Sequence, residues 1–234
     1  MCNSYNELKH RWSPSSGDQY PALALGVFVT ALTPAQLRIH EAALRLFAER
    51  GVTEVNVKEL AQAAGVARGT IYNNLSDPEN LFEAVAAQLA EDMNARATDS
   101  FQEITDPAQR LATGIRLYVR RAHEDPHWGR FLTRFAFSAT ALQHMWRGQP
   151  LIDLMAGVQS GRYHLRQEQL PSALSLIAGA VLGAMFLTLE GIKTWRDAGS
   201  DAAELVLVSL GVTRAEAREL ANAKLPPLPP TRKR

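Results

Sequence analysis

Apolar residues return every three or four positions through most of the chain between Thr33 and Ala223, the period of helices with one buried face. In "TPAQLRIHEAALRLFAERG", Thr33 stands as N-cap and Pro34 at the first helical position, where its missing N–H costs nothing. Leu37, Ala43, Leu44 and Phe47 form the apolar stripe, and Gly51 stops the helix. "NVKELAQAAG" follows, with Asn56 as cap, Glu59 placed to return the bond in a capping box, and Gly65 as the stop. "VARGTIYNNL" is a third, short helix. Asp77 caps and Pro78 opens a fourth, with Leu81, Phe82, Val85 and Leu89 on its inner side. Further helices are predicted near 107–123, 127–146, 150–160, 171–196, 200–210 and 213–223; Pro107, Pro126, Pro150 and Pro171 mark starts. No segment alternates with period two for long enough to make a strand. The predicted fold class is all-α, without internal repeats.

Residues 57–75 have helix-turn-helix form: two short helices meet around a tight turn with Gly. Ala61 is small where the helices cross, and Gly65 supplies positive φ without steric cost. Leu60, Val66, Ile71 and Leu75 make the small core. Ala67, Arg68, Gly69, Thr70, Tyr72, Asn73 and Asn74 are left for the outer face and its edges. Such a helix fits the major groove. Arg68 can fork onto guanine, Thr70 can bond a base or pack on a thymine methyl, and Tyr72, Asn73 and Asn74 suit phosphate or adenine. Asn56 and Lys58 join them at the start of the first helix. The competing reading is an ordinary antiparallel helix pair with a polar surface, since short matches of this kind arise by chance.

Composition adds bounds. The 234 residues are 46% hydrophobic and 21% charged, an ordinary globular balance, and a formal net charge of +1 speaks neither for nor against a polyanion partner. The single cysteine, Cys2, excludes an internal disulfide and a Cys-based zinc site, and fits a reducing, cytoplasmic setting. Residues 1–33 read as a poorly ordered N-terminal extension; the apolar block Tyr20 to Leu32 is too short to span a bilayer, which takes about 20 residues. Residues 224–234 are a Pro-rich basic tail that favours extended backbone over a packed helix.

"ALSLIAGAVLGAMFLTL", Ala173 to Leu189, carries no charge and holds Gly179 and Gly183 in a G-x-x-x-G. It reads either as a membrane anchor or as a helix buried on all sides, one face in its own domain and one against a second copy. Tyr118, Trp128, Phe131, Phe135, Phe137, Met145 and Trp146 cluster in the middle of the chain. They read as plain core, or as the wall of an apolar pocket formed by Tyr118, Phe131, Phe135, Trp146 and Met185. Arg116, Arg120, Arg121, Arg130 and Arg134 lie among them as solvated charges or as partners of an anionic effector. His123 and His127 have metal-pair spacing, but Pro126 breaks the shared face, and no metal or cofactor is expected. G-x-x-x-x-G-K-[ST], G-x-G-x-x-G and H-E-x-x-H are all missing, so an enzyme is the weak rival.

The arrangement closely resembles the TetR family of bacterial transcription regulators over residues 34–90. The matching stretches are Phe47-Ala48-Glu49-Arg50-Gly51, Val57 through Val66, Gly69-Thr70-Ile71-Tyr72 and Glu79-Asn80-Leu81, with a weaker echo at Gly157 through Tyr163. The resemblance implies an all-α homodimer. Its DNA-binding domain would span 34–94 and its ligand-binding and dimerisation domain 95–223, with Gly179 and Gly183 in the dimer interface. It implies a repressor of double-stranded operator DNA, released by a small apolar effector. The alternatives are a helical small-molecule-binding protein whose DNA function is lost, and a membrane-associated protein anchored by 173–189. Two departures stand out: the family's usual phosphate-touching histidine and lysine are replaced here by Asn74 and Pro78.

Overall fold

Thr33 and Gln36 close a reciprocal cap at the start of the first helix: Thr33 Oγ1 accepts from the Gln36 N–H at 3.2 Å, and Gln36 Oε1 accepts from the Thr33 N–H at 2.8 Å. In this computed structural model, residues 32–229 are described, apart from Ser76, Pro78 and Gln102. The expected extension through residue 31, the helix start at Pro78 and the tail beyond Pro229 lie outside the described residues. Among the described residues there is no strand, and the helices are α1 (Pro34–Arg50), α2 (Val57–Ala64), α3 (Arg68–Asn74), α4 (Leu81–Ser100), α5 (Pro107–Glu124), α6 (Pro126–Phe135), α7 (Thr140–Arg147), α8 (Gln149–Gln159), α9 (Leu170–Leu189), α10 (Trp195–Ser209) and α11 (Arg214–Asn222).

Several boundaries differ from the pattern reading. In α1 the buried residues are Ile39, Ala42, Ala43, Phe47 and Ala48, whereas Leu37 is exposed. At about 100° per residue, Leu37 lies nearly half a turn round the helix from Ile39. Asn56 Oδ1 accepts from the Glu59 N–H at 2.9 Å, but the Glu59 carboxylate pairs with Arg50 at 2.8 Å instead of closing the capping box. Asp77 Oδ1 accepts from the N–H groups of Glu79 and Asn80, at 3.1 and 3.3 Å, and α4 begins only at Leu81. The stretch predicted as one helix over 127–146 is two, because the N–H groups of Ser138 and Ala139 both turn back onto Phe135 O. The stretch predicted over 171–196 ends at Leu189, where the N–H groups of Ile192 and Lys193 fold back onto Leu187 O around Gly191 at φ 68°.

The core of the C-terminal bundle forms around α5, α9 and α10, with α10 packed most extensively on α5. α1 to α3 are fastened to this bundle through four phenylalanines. Phe47 from α1, Phe82 from α4, and Phe131 and Phe135 from α6 pack with ring centroids 5.0–6.3 Å apart. Each favourable pair adds about 0.5–1.5 kcal/mol beyond its area. The turn after α8 is fixed by Gly157: its carbonyl accepts from the N–H groups of Arg162 and Tyr163, and the Tyr163 ring lies where a Cβ would stand. Arg162 then pairs with Asp106 at 3.0 Å and Glu216 at 2.7 Å, tying this turn to α11. The expected tail is partly docked: Pro229 O accepts from Arg96 Nε at 2.6 Å, and Pro227 O from Ser100 Oγ at 3.1 Å.

Candidate nucleic-acid interface and effector cavity

Ile71 and Leu60 are wholly buried between α2 and α3, with Ala61 and Ala64 beside them; Val66 and Leu75 are half-buried at the edge. The turn is closed by the Val66 N–H on Ala61 O at 3.0 Å, with Gly65 at φ 64°. This core fixes what α3 presents outward. Ala67, Arg68, Gly69, Tyr72 and Asn73 are exposed, Tyr72 at 62%, and Thr70 is half-buried. Asn56 and Lys58 are exposed at the start of α2. Neither Lys58 nor Arg68 has an ion-pair partner among the described residues, whereas Arg50 is held by Glu59 and Arg96 is buried against Asp92.

Asn74 is placed differently from its neighbours. Its Nδ2 donates to Thr70 O at 2.8 Å, its Oδ1 accepts from Thr33 Oγ1 at 3.3 Å, and its carbonyl accepts from Gln36 Nε2 at 3.1 Å. It fastens the end of α3 to the start of α1, so its amide is engaged inside the protein. Asn56 Oδ1 is likewise used in capping α2.

A cavity of about 40 Å³ lies between α4, α5, α8 and α9. Its apolar wall includes Phe101, Leu111, Ile115, Ile177 and Val181, with the Tyr118 and Trp146 rings beside them. One end is polar. Asp153, almost fully buried, accepts from Gln149 Nε2 at 2.8 Å; Arg110 Nε lies 3.0 Å from the same carboxylate without hydrogen-bond alignment. Burial raises the Asp153 pKa above the ordinary value, against the opposing pull of Gln149 and Arg110. Trp146 Nε1 is buried with no hydrogen-bond partner among the described residues. Tyr118 Oη donates to Asn94 Oδ1 at 3.4 Å, and burial pushes its phenol pKa upward, so it stays protonated at neutral pH.

Of the five residues expected to line a pocket, the structure brings together Tyr118 and Trp146. Phe131 and Phe135 are instead spent on the phenylalanine junction, and Met185 is fully buried core, off the cavity wall. The correction has a plain cause: helical spacing shows that a residue faces inward, but not which of two inner compartments it faces. Asp153, Arg110 and Gln149 were missed. The available signal was a carboxylate at 153 in an otherwise apolar helix, four residues after a glutamine.

On the opposite side of α9, Gly179 and Gly183 are exposed, and a Cβ built on either meets nothing within 4 Å. Leu176, Phe186, Ile192 and Leu205 are each at least 50% exposed. Their 176-179-183-186 spacing is a seam of threes and fours along one face. By length and composition the helix from Gln167 to Leu189 is apolar enough to cross a membrane, but its other face packs on α5, α6 and α10.

Two family descriptions match this geometry. "Bacterial regulatory proteins, tetR family" matches residues 39–85, and "Tetracyclin repressor-like, C-terminal domain" matches residues 106–223, half of the chain. The chain belongs to the TetR family. The crystal structure of RolR in complex with the ligand resorcinol is similar at 30% identity and a TM-score of 0.64, covering 83% of this chain and 96% of RolR. An HTH-type transcriptional regulator of Mycobacterium tuberculosis is 29% identical over 89 residues, 38% of this chain and 44% of that protein. The transcriptional repressor AcnR of Corynebacterium diphtheriae is 41% identical over 59 residues, 25% of this chain and 31% of AcnR. The chain thus aligns with less than half the length of these two curated relatives. Within the TetR frame, α2 and α3 lie in the segment matched to the tetR-family description, and most of the cavity wall lies in the segment matched to the repressor-like C-terminal domain. The expected all-α class, with an N-terminal helix-turn-helix and a helical C-terminal domain, holds.

Proposed function

We propose that this TetR-family regulator is a homodimeric repressor that leaves its operator when a small aromatic molecule with oxygen substituents enters the cavity. One observation carries the reading: the wall of an apolar cavity includes Trp146, whose buried N–H has no partner among the described residues, together with the Asp153–Gln149 pair. An unpaired buried donor costs about 1–3 kcal/mol, which an acceptor oxygen on the effector would recover. Asp153 and Gln149 would hold a second oxygen or hydroxyl. The similarity to RolR, whose crystal structure holds the ligand resorcinol, supports this chemistry.

The volume supplies the coupling. A cavity that takes a benzene ring is roughly 150 Å³. The space here, about 40 Å³, is too small for one ring, so entry must displace a wall. One wall is α4, through Asn94, Ala97 and Phe101, and α4 reaches back to Phe82 in the junction. An effector that binds only the widened state biases the protein toward it, and by linkage operator DNA weakens effector binding equally. In the dimer, paired through the Gly179/Gly183 face, the two α3 helices would meet major grooves about 34–36 Å apart.

The test uses duplex DNA flanking the protein's own gene and a titration with resorcinol and related dihydroxybenzenes. Release is expected, and Trp146→Phe and Asp153→Ala should each raise the half-release concentration about tenfold or more. A dimer that binds no genomic fragment selectively would favour the ligand-binding alternative with lost DNA function. Release by fatty molecules only, unaffected by either substitution, would reject the polar-ended cavity.

A further inference from the structure

A second concavity lies outside the cavity and the DNA-binding face. It is a cleft of about 800 Å³ between the last turns of α5, the first turn of α10 and the segment just after α11. That is within the usual small-molecule range of about 300–1,000 Å³. Its lining is polar and strongly one-signed: Arg116, Arg120, Arg196 and Lys224 face it, against a single carboxylate, Glu124. Glu124 is already engaged with Arg120 Nε at 2.8 Å. Arg116, Arg196 and Lys224 have no ion-pair partner among the described residues. Arg116 is half-buried, and its Nη1 donates to the neutral carbonyl of Ala223 at 2.7 Å. Burial lowers its pKa, with no carboxylate pulling the other way. One turn along the same helix, Arg121 has its carboxylate, Asp125, at 3.1 Å. The cleft therefore gathers three cations without a carboxylate partner among the described residues, and one of them, Arg116, is half-buried.

Trp195 forms the floor. Arg196 and Arg120 lie over its ring at 4.4 and 5.7 Å from the centroid, and the His123 ring lies 6.5 Å away at an interplanar angle of 29°. An indole flanked by guanidinium groups holds a flat ring and its negative substituent together. The cleft is also clear of the exposed apolar face. At about 100° per residue, Arg196 and Ser200 lie about 140–180° round α10 from Leu205.

We propose that this cleft binds a small planar aromatic anion, its ring against Trp195 and its phosphate or carboxylates between Arg116, Arg196 and Lys224. The chemistry is shared by nucleotides and aromatic dicarboxylates. The wall made by Ala223, Lys224 and Leu225 continues into the segment whose Pro227 and Pro229 carbonyls hold Ser100 and Arg96 of α4. A ligand here would therefore brace the strap on α4 from its other end.

The experiment is calorimetric titration of the full-length protein at constant ionic strength with AMP, phthalate and adenosine. Saturable binding of AMP identifies phosphate and of phthalate identifies carboxylate, while neutral adenosine should not bind. Arg196→Ala and Lys224→Ala, both at exposed positions, should each weaken binding about tenfold with the thermal midpoint unchanged. Trp146→Phe, in the other cavity, should leave binding unchanged. Failure of both anions to saturate at about 10 mM overturns the proposal, as does binding indifferent to both cleft variants. Loss of DNA affinity in those variants, without small-anion binding, would instead assign the cleft to the DNA backbone.

Discussion

Lys58 and Arg68 set a quantitative expectation for DNA binding. Residues 34–98 carry six cations and nine carboxylates, so the region proposed to bind DNA is itself net negative. Of the six cations, Arg50 is paired with Glu59 and Arg96 is buried under the C-terminal segment; Arg38 and Arg45 lie exposed on α1, and Lys58 on α2 and Arg68 on α3 are the exposed, unpaired cations of the helix-turn-helix itself. Asn74 is neutral and already bonded within the protein. About two phosphate contacts per protomer, or roughly four per dimer, give a slope of log K against log salt near −3 to −4. Affinity should then fall by about a hundredfold between roughly 50 and 200 mM salt. Lys58→Ala should flatten the slope by about 1.8 for the two protomers and weaken all sequences alike. Arg68→Ala should flatten the slope in the same way and cost the operator about 1–3 kcal/mol more than scrambled DNA. Fluorescence anisotropy over a salt series, with operator and scrambled duplexes, measures both. A slope steeper than about −7 for one bound dimer would refute the reasoning, because the main electrostatic contacts would lie elsewhere.

Three further outcomes follow from the packing. Gly183→Leu adds a large side chain to the exposed small-residue seam and should weaken the dimer; light scattering reads this, and a monomeric parent at micromolar concentration would sink the interface. Gly157→Ala places a Cβ 2.1 Å from the Tyr163 ring, so thermal unfolding should show a loss of about 1–3 kcal/mol, and an unchanged midpoint would contradict the clasp. Partial burial works to raise the Asp106 pKa, but the Arg162 bond and the Ala108 N–H outweigh it and hold it below the ordinary carboxylate value. The stability from this pair is present above the unfolded-state pKa and is lost as pH falls through the lower folded value; Asp106→Asn should flatten the acid limb of a pH–stability curve.

The helix-turn-helix unit was legible because its signals are local. Asn56, Gly65, the 60-71 apolar contact and the outward run from Ala67 to Asn73 follow from spacing within a few turns. The role of Asn74 was not legible: its partners Thr33 and Gln36 lie about forty residues away in the chain. The same limit explains the cavity. Trp146 and Tyr118 were visible as aromatic residues at helical spacing, but Phe131 and Phe135 follow the same spacing into the phenylalanine junction. The helix break at 136–139 lacks a proline or glycine and depends on how α6 and α7 pack, so no local signal announces it. The docked tail was hidden for another reason. Proline does favour extended backbone, but its carbonyl remains a good acceptor, and buried Arg96 uses it.

α4 is where these features meet. As one continuous helix of 20 residues it is a rod about 30 Å long. Its first turns carry Phe82 into the junction with α1 and α6, and its last turns carry Asn94, Ala97 and Phe101 into the cavity wall. Close-packed cores respond to an added ring by shifting elements rather than by compressing. Widening the cavity therefore bears on α4 at one end, and the phenylalanines bear on α1 at the other. α1 holds α3 through the Thr33, Gln36 and Asn74 bonds, so a change in the tilt of α4 reorients the face that carries Arg68. Opposing it are the Arg96 and Ser100 bonds to the C-terminal segment, which hold the cavity end of α4 in place. Under the proposed function, the tension between an undersized cavity and a strapped rod would give an effector its differential affinity for the displaced state, which is what release from DNA requires.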